Sequence, residues 1–197
     1  MAALLHRLRP GITVCVPSIP VRGHYLGRAL TSIAGQLRPA DAISVVVDRV
    51  RAGAAFTRTQ ALAAARTDVV TFLDDDDTMN TDHLLRLESF MRDTGADFVF
   101  SWFDVIGGRD PFPQHFGKEW DPDNPTHTTV VTMVRTELAR SVGFVAPEGG
   151  DGAGGSGEDW NFTLGCLAAG ATIRHLPERT WKWYHNTGNT SGRNDRW

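Results

Sequence analysis

The chain has 197 residues, of which 41% are apolar and 22% charged, with ten Phe and six Trp available for burial. That length and composition suit one domain with a full hydrophobic core and exclude wholesale disorder. Twenty Lys plus Arg against twenty-three Asp plus Glu give a formal charge of -3. Lys118 and Lys182 are the only lysines, and this balance argues against a general polyanion binder.

Cys15 and Cys166 lack CxxC spacing, so neither a disulfide framework nor a thiolate zinc site is expected, and both read as free buried residues. At the N-terminus, MAALLHRLRPG interrupts its apolar patch with His6, Arg7 and Arg9 and carries no continuous hydrophobic region. The expectation is a soluble, cytoplasmic protein with no stable membrane insertion.

In chain order, ITVCVP at 12–17 and ISVVVD at 43–48 read as buried strands. Between them Leu26, Ala29, Leu30, Ile33, Ala34 and Leu37 recur at helical spacing, completing a β-α-β unit. A second helix around 56–66 leads into the apolar run Val69 to Leu73, which four aspartates cut short. Asn80 or Thr81 would cap a helix over 82–94, and DFVFSWF predicts a strand at 97–103.

The prolines and glycines of 107–126 predict an irregular segment, a candidate cover for the site. Strand character returns at 128–134, followed by a short helix at 136–141 and a Gly-rich loop, PEGGDGAGGSG, at 147–157, expected to be mobile. A helix at 158–169 and a strand at 172–176 finish the regular structure, with 177–197 a closing segment or partly flexible tail. The fold class is α/β: a single domain over 1–197, built as an α/β/α sandwich on a mainly parallel sheet. Its ligand site is expected in the loops after the strand C-termini.

Asp74, Asp75, Asp76 and Asp77 follow an apolar strand, where four carboxylates repel unless water or a cation relieves them. Hard Mg²⁺ or Mn²⁺ ions, which take oxygen ligands, fit that need, and a solvated acidic turn is the simpler alternative. Glu158 and Asp159 open a helix, where acids serve either as dipole partners or as a base presented to a hydroxyl. His185 sits in WKWYHNTGN as a candidate metal or phosphate contact, or as an ordinary surface histidine. Arg22 and Arg28, just past the Pro17-Ser18-Ile19-Pro20 turn, would either position an anion or simply coat a helix.

The order of these pieces over 12–188 resembles the nucleotide-diphospho-sugar glycosyltransferases of the GT-A fold, particularly the family-two group of inverting enzymes. TVCVPSIPVRGHYLGRALTSIAGQ is similar to that group's opening strand, turn and helix, which brings Pro17 to the nucleotide. SVVVD ends in Asp48, matching the acid that contacts base or ribose, and Arg58 matches the arginine that approaches the nucleotide. FLDDDD resembles the DxD motif, with Asp74 and Asp75 on the donor side and Asp76 as the metal ligand; a register one residue later, on Asp75 and Asp77, stays open. GEDW resembles the acceptor-side acidic motif, which implies Asp159 as catalytic base with Glu158 in support. His185 falls where relatives place a diphosphate or metal contact. There is no QxxRW motif, unlike in processive polysaccharide synthases.

The resemblance therefore implies a metal-dependent inverting glycosyltransferase, hexosyltransferase-like, using Mn²⁺ or Mg²⁺ and an NDP-sugar donor, with a UDP-sugar favoured. The acceptor is a hydroxyl compound of unspecified kind, a modified nucleic-acid base among them. A noncatalytic nucleotide-sugar or carbohydrate-binding module and a nucleotidyltransferase are the competing readings. So short a chain leaves acceptor recognition to 107–127, the Gly-rich loop, the C-terminal segment or a second subunit of a homo-oligomer.

Overall fold

Seven β-branched and small apolar residues in a row make Ile12–Ser18 (β1) a strand buried along its whole length, the centre on which the rest assembles. The computed structural model describes residues 9–126, 128–146 and 157–184. Parallel to β1 on one side lies β2 (Ala42–Val47), registered from Thr13 opposite Ala42 to Ser18 opposite Val47, and on the other β3 (Val69–Phe72). Helix α1 (Gly23–Ala34) connects β1 to β2, and α2 (Ala54–Ala64) connects β2 to β3. Since β2 and β3 flank β1 on opposite sides, right-handed crossovers put α1 and α2 on opposite faces of the sheet.

The sheet has seven strands in the order β2-β1-β3-β6-β5-β7-β4, where β4 is Thr78–Met79, β5 Phe98–Ile106, β6 Thr132–Arg135 and β7 Ile173–Tyr184. Five strands point the same way. Strand β6 runs antiparallel to both β3 and β5, and β4 runs antiparallel to β7. The expected mainly parallel sheet is thus present with two reversed strands. Helix α3 (His83–Thr94) buries Leu84, Leu87 and Met91, one stripe at helical spacing, and ends on Gly95 at φ 66°, the left-handed conformation that glycine adopts without strain. On the α2 side, α4 (Thr136–Val142) and α5 (Glu158–Ala168) close the core. Phe72, Phe144 and Phe162 interlock there, with Phe144 and Phe162 stacked at 4.3 Å.

Four expectations change. Strand β2 is an edge, and its Ile43 and Val45 are exposed rather than buried. Helix α3 starts one residue later than expected, after Asp82, with neither Asn80 nor Thr81 at the cap. Strand β7 continues to Tyr184, so the first part of the anticipated tail is sheet. The segment 107–126 holds a single 3-10 turn at Pro113–His115. Residues 147–156 of the Gly-rich loop and 185–197 lie outside the described residues. Among the described residues, no helix is long and apolar enough to cross a membrane.

Candidate functional site

Strands β1, β2 and β3 deliver Ser18, Asp48 and Asp74 to the same edge of the sheet, their shared C-terminal edge. Asp48 is buried, and its carboxylate accepts N–H bonds from Val50 at 3.1 Å and Gly53 at 2.8 Å. Burial alone would raise its pKa, but the backbone N–H groups of residues 50–53 outweigh it and hold the carboxyl below its usual range. Asp48 thereby shapes a tight loop in which Arg51 sits at φ 59° and Gly53 at φ 95°. That loop launches α2.

The aspartate run folds as a turn, closed by the Asp77 N–H on the Asp74 carbonyl at 3.1 Å. The turn separates the four carboxylates. Asp75 points back toward β1, taking Ser18 Oγ at 2.7 Å and an Arg22 guanidinium N–H at 3.0 Å. Asp74, Asp76 and Asp77 bring one carboxylate oxygen each to within 4.8 Å of one another. Arg22 also reaches Asp76 at 3.2 Å, and Arg28 bonds the Asp76 carbonyl while its guanidinium lies 3.6 Å over the Tyr184 ring. Both arginines are therefore engaged within the protein, on the acidic turn itself.

Burial and the neighbouring carboxylate of Asp74 push the Asp76 pKa up to about 6, and burial with the charges of Asp74 and Asp76 pushes Asp77 well above the usual range. Three crowded oxygens, two on buried groups that resist ionisation, form a donor set that suits a hard divalent cation. Asp77 is further fixed by the Tyr184 N–H at 2.9 Å, and the Thr78–Lys182 pairing ties the turn to the end of β7.

Arg58 of α2 is buried and forks. One N–H reaches Asp74 at 2.6 Å and the other pairs with Glu158 at the start of α5. Desolvation disfavours its charge, yet Asp74, Glu158 and Asp159 together hold its pKa above the ordinary value. Asp159, the next residue, accepts the Trp160 N–H at 2.8 Å. A Cβ at Gly157 would stand 2.7 Å from the Asp159 carboxylate, so glycine leaves that side chain its room.

Two clefts meet here. One, about 420 Å³, is lined by Pro17, Ser18, Thr57, Arg58, Asp74 and Asp75. The other, about 630 Å³, is lined by Asp74, Asp77 and Asp159 on one side and by aromatic side chains on the other. Asp74 belongs to both. Pro17, Arg58, Asp74, Asp75, Asp76, Glu158 and Asp159 thus converge. Asp48 sits beside them at the loop that opens α2. The anticipated His185 lies outside the described residues.

Sequence reasoning missed the aromatic wall, made by Trp102, Phe103, Phe112, Trp181 and Trp183. Its signal was present in FSWF and WKW, whose aromatics read there as ordinary strand and tail residues. The Ser18 and Arg22 claim on Asp75 was also missed, because nothing in a run of four identical residues says which one turns inward.

A five-plus-two mixed sheet between two helical layers, with an acidic turn at the end of β3 facing a carboxylate-bearing helix start, defines the GT-A class of α/β domains. The family model described as Glycosyl transferase family 2 matches residues 30–133, just over half of the chain, and the chain belongs to that family. Among solved structures, S. aureus TarS 1-349 in complex with UDP-GlcNAc is similar at a TM-score of 0.75 and 20% identity, over 93% of this chain and 61% of that one. The same TarS segment in complex with UDP gives 0.72 and 20% over 88% and 60%. This chain therefore spans about three-fifths of the TarS segment. No curated protein sequence matches it.

Proposed function

We propose that this protein is a metal-dependent, inverting glycosyltransferase that moves a sugar from a UDP-sugar to an acceptor hydroxyl. The observation that carries this reading is the meeting of the two clefts at Asp74, which sets a nucleotide-sized groove beside a second cavity that holds Asp159. Membership of glycosyl transferase family 2 supports the reaction class, and the UDP and UDP-GlcNAc complexes of the TarS structures support the donor.

In this reading Pro17, Asp48, Arg58 and Asp75 border the nucleotide. Asp74, Asp76 and Asp77 hold Mn²⁺ or Mg²⁺; this set extends the expectation of Asp76 with His185. When bound, the cation supplies charge neutralisation at the leaving diphosphate. Asp159 accepts the proton of the attacking hydroxyl. Attack on the face opposite the diphosphate inverts the anomeric carbon. Glu158 fixes the start of α5 through Arg58, so its work is to position Asp159 rather than to touch substrate.

Isothermal titration of UDP with and without Mn²⁺ tests the donor half. The expected result is saturable binding that Mn²⁺ strengthens at least tenfold and that Asp76→Asn removes. Equal UDP binding with and without metal, in both proteins, would show the metal assignment to be wrong.

A further inference from the structure

The larger cleft has a chemistry of its own. Along β7 the side chains alternate, so Trp181 and Trp183 share a face and both line the cleft, while Lys182, between them, does not. Strand β5 breaks this rule. Its pairing with β7 shifts register at Ser101/Trp102 and again at Trp102/Phe103, and the irregularity lets two consecutive residues, Trp102 and Phe103, line the same cavity. Their rings stack 5.1 Å apart at 15°, and Phe103 meets Trp183 edge-on at 5.6 Å. Bulges of this kind re-aim side chains beside functional sites.

The polar groups of the cleft are equally selective. Asp74, Asp77 and Asp159 line it together with Thr128 and Thr129, and among the described residues no lysine or arginine does. Arg179, close by, is committed to the Phe103 carbonyl and to Asp110. Trp181 is buried with its indole N–H unpartnered. The cavity thus offers flat π faces, one spare N–H donor and three carboxylates that accept hydroxyl protons.

We infer that this cleft binds the acceptor, and that the acceptor is a neutral glycoside whose sugar ring stacks on Trp183 and Phe103 with a hydroxyl directed to Asp159. The inference rests on the glycosyltransferase reading and narrows its acceptor to one chemical class. Sugar rings carry C–H faces that pack on aromatic rings and hydroxyls that donate to carboxylates. An acceptor bearing a carboxylate or phosphate would enter a cavity that already holds three negative groups and, among the described residues, no cation to meet it.

The test is a tryptophan-fluorescence titration at saturating UDP and Mn²⁺, which needs no turnover. The probes are methyl and benzyl β-hexosides and the matching β-glucuronides. Neutral hexosides should bind saturably and the glucuronides at least tenfold more weakly. Trp183→Leu should lose hexoside binding at least tenfold, Trp183→Phe should restore most of it, and both should keep the wild-type affinity for UDP. Glucuronides that bind as well as hexosides, the absence of hexoside binding, or a Trp183→Leu protein that binds hexosides normally would each overturn the proposal. Hexoside binding with no UDP binding would instead remove the donor reading and leave the neutral-sugar cleft standing.

Discussion

Arg58 and Glu158 are a hundred positions apart in the chain and form a buried ion pair, with Asp74 on the other tine of the same guanidinium at 2.6 Å. One side chain therefore holds the acidic turn after β3 and the start of α5 in fixed relation. A planar guanidinium can satisfy two carboxylates at once, and a lysine ammonium lacks that fork. Arg58→Lys should fold and bind UDP within a few-fold of wild type, yet lower the rate of sugar transfer by roughly 10²-fold, the order expected when a reacting group is misplaced by about 1 Å. Arg58→Ala should cost about 3 kcal/mol of stability, because it leaves both carboxylates without a partner. Urea denaturation and steady-state kinetics of the two variants read these outcomes, and unchanged kinetics in Arg58→Lys would remove the positioning role.

The raised pKa values of Asp76 and Asp77 fix the sign of a second prediction. A carboxyl whose folded pKa lies above its unfolded value binds more protons when folded, so its charged form costs stability at neutral pH and the cost falls away as pH drops through the folded pKa. A divalent cation relieves the same cost without acid. At pH 7.5, Mn²⁺ at a hundred times its Kd should raise stability by about 2.7 kcal/mol, a Tm increase of roughly 5–10 °C for a chain of this size. The increase should shrink as pH falls through about 6, where Asp76 takes up its proton.

Asp77→Asn separates the cost of the charge from its use. The amide oxygen still accepts the Tyr184 N–H, so metal-free protein should gain one or more degrees in Tm while losing the Mn²⁺-induced increase. Thermal melts with and without Mn²⁺ check both halves. A variant that melts lower than wild type in the absence of metal would show that the Asp77 charge is not a burden.

The packing of α5 makes a third prediction. A Cβ at Gly165 would stand 2.4 Å from Val142 Cγ1, so α5 lies against α4 only because residue 165 has no side chain. Gly165→Ala should destabilise the protein by about 1–3 kcal/mol through overpacking, and adding Val142→Ala should recover most of the loss. Chemical denaturation of the single and double variants measures it. The same shift should slow transfer, since α5 carries Asp159.

The first half of the fold was legible because its signals are local. β1, α1, α2 and β3 follow apolar runs and helical spacing that tertiary context does not override, and each appears within a few residues of its expectation. Strand direction is not local. Residues 132–135 are apolar and β-branched whichever way they run, and only pairing with β3 and β5 reverses them. Strand β4, at two residues, is too short to leave a pattern, and Pro177, Glu178 and Arg179 hid the continuation of β7 by interrupting its apolar run. At the site, residue types announced a cation and a base. The division of labour within the aspartate run and the doubled aromatics of β5 depend on a turn and a bulge, which a pattern of residue types does not record.

The most direct measurement is metal-dependent UDP release from a panel of UDP-sugars with a neutral glycoside acceptor, by wild type and by Asp159→Asn, alongside UDP affinity for both. Wild type should release UDP from at least one donor in Mn²⁺. Asp159→Asn should bind UDP as wild type does and release it at least about 10²-fold more slowly, the scale of a lost general base. An Asp159→Asn protein that turns over at the wild-type rate, or a wild type that releases UDP from none of the donors, would contradict the account.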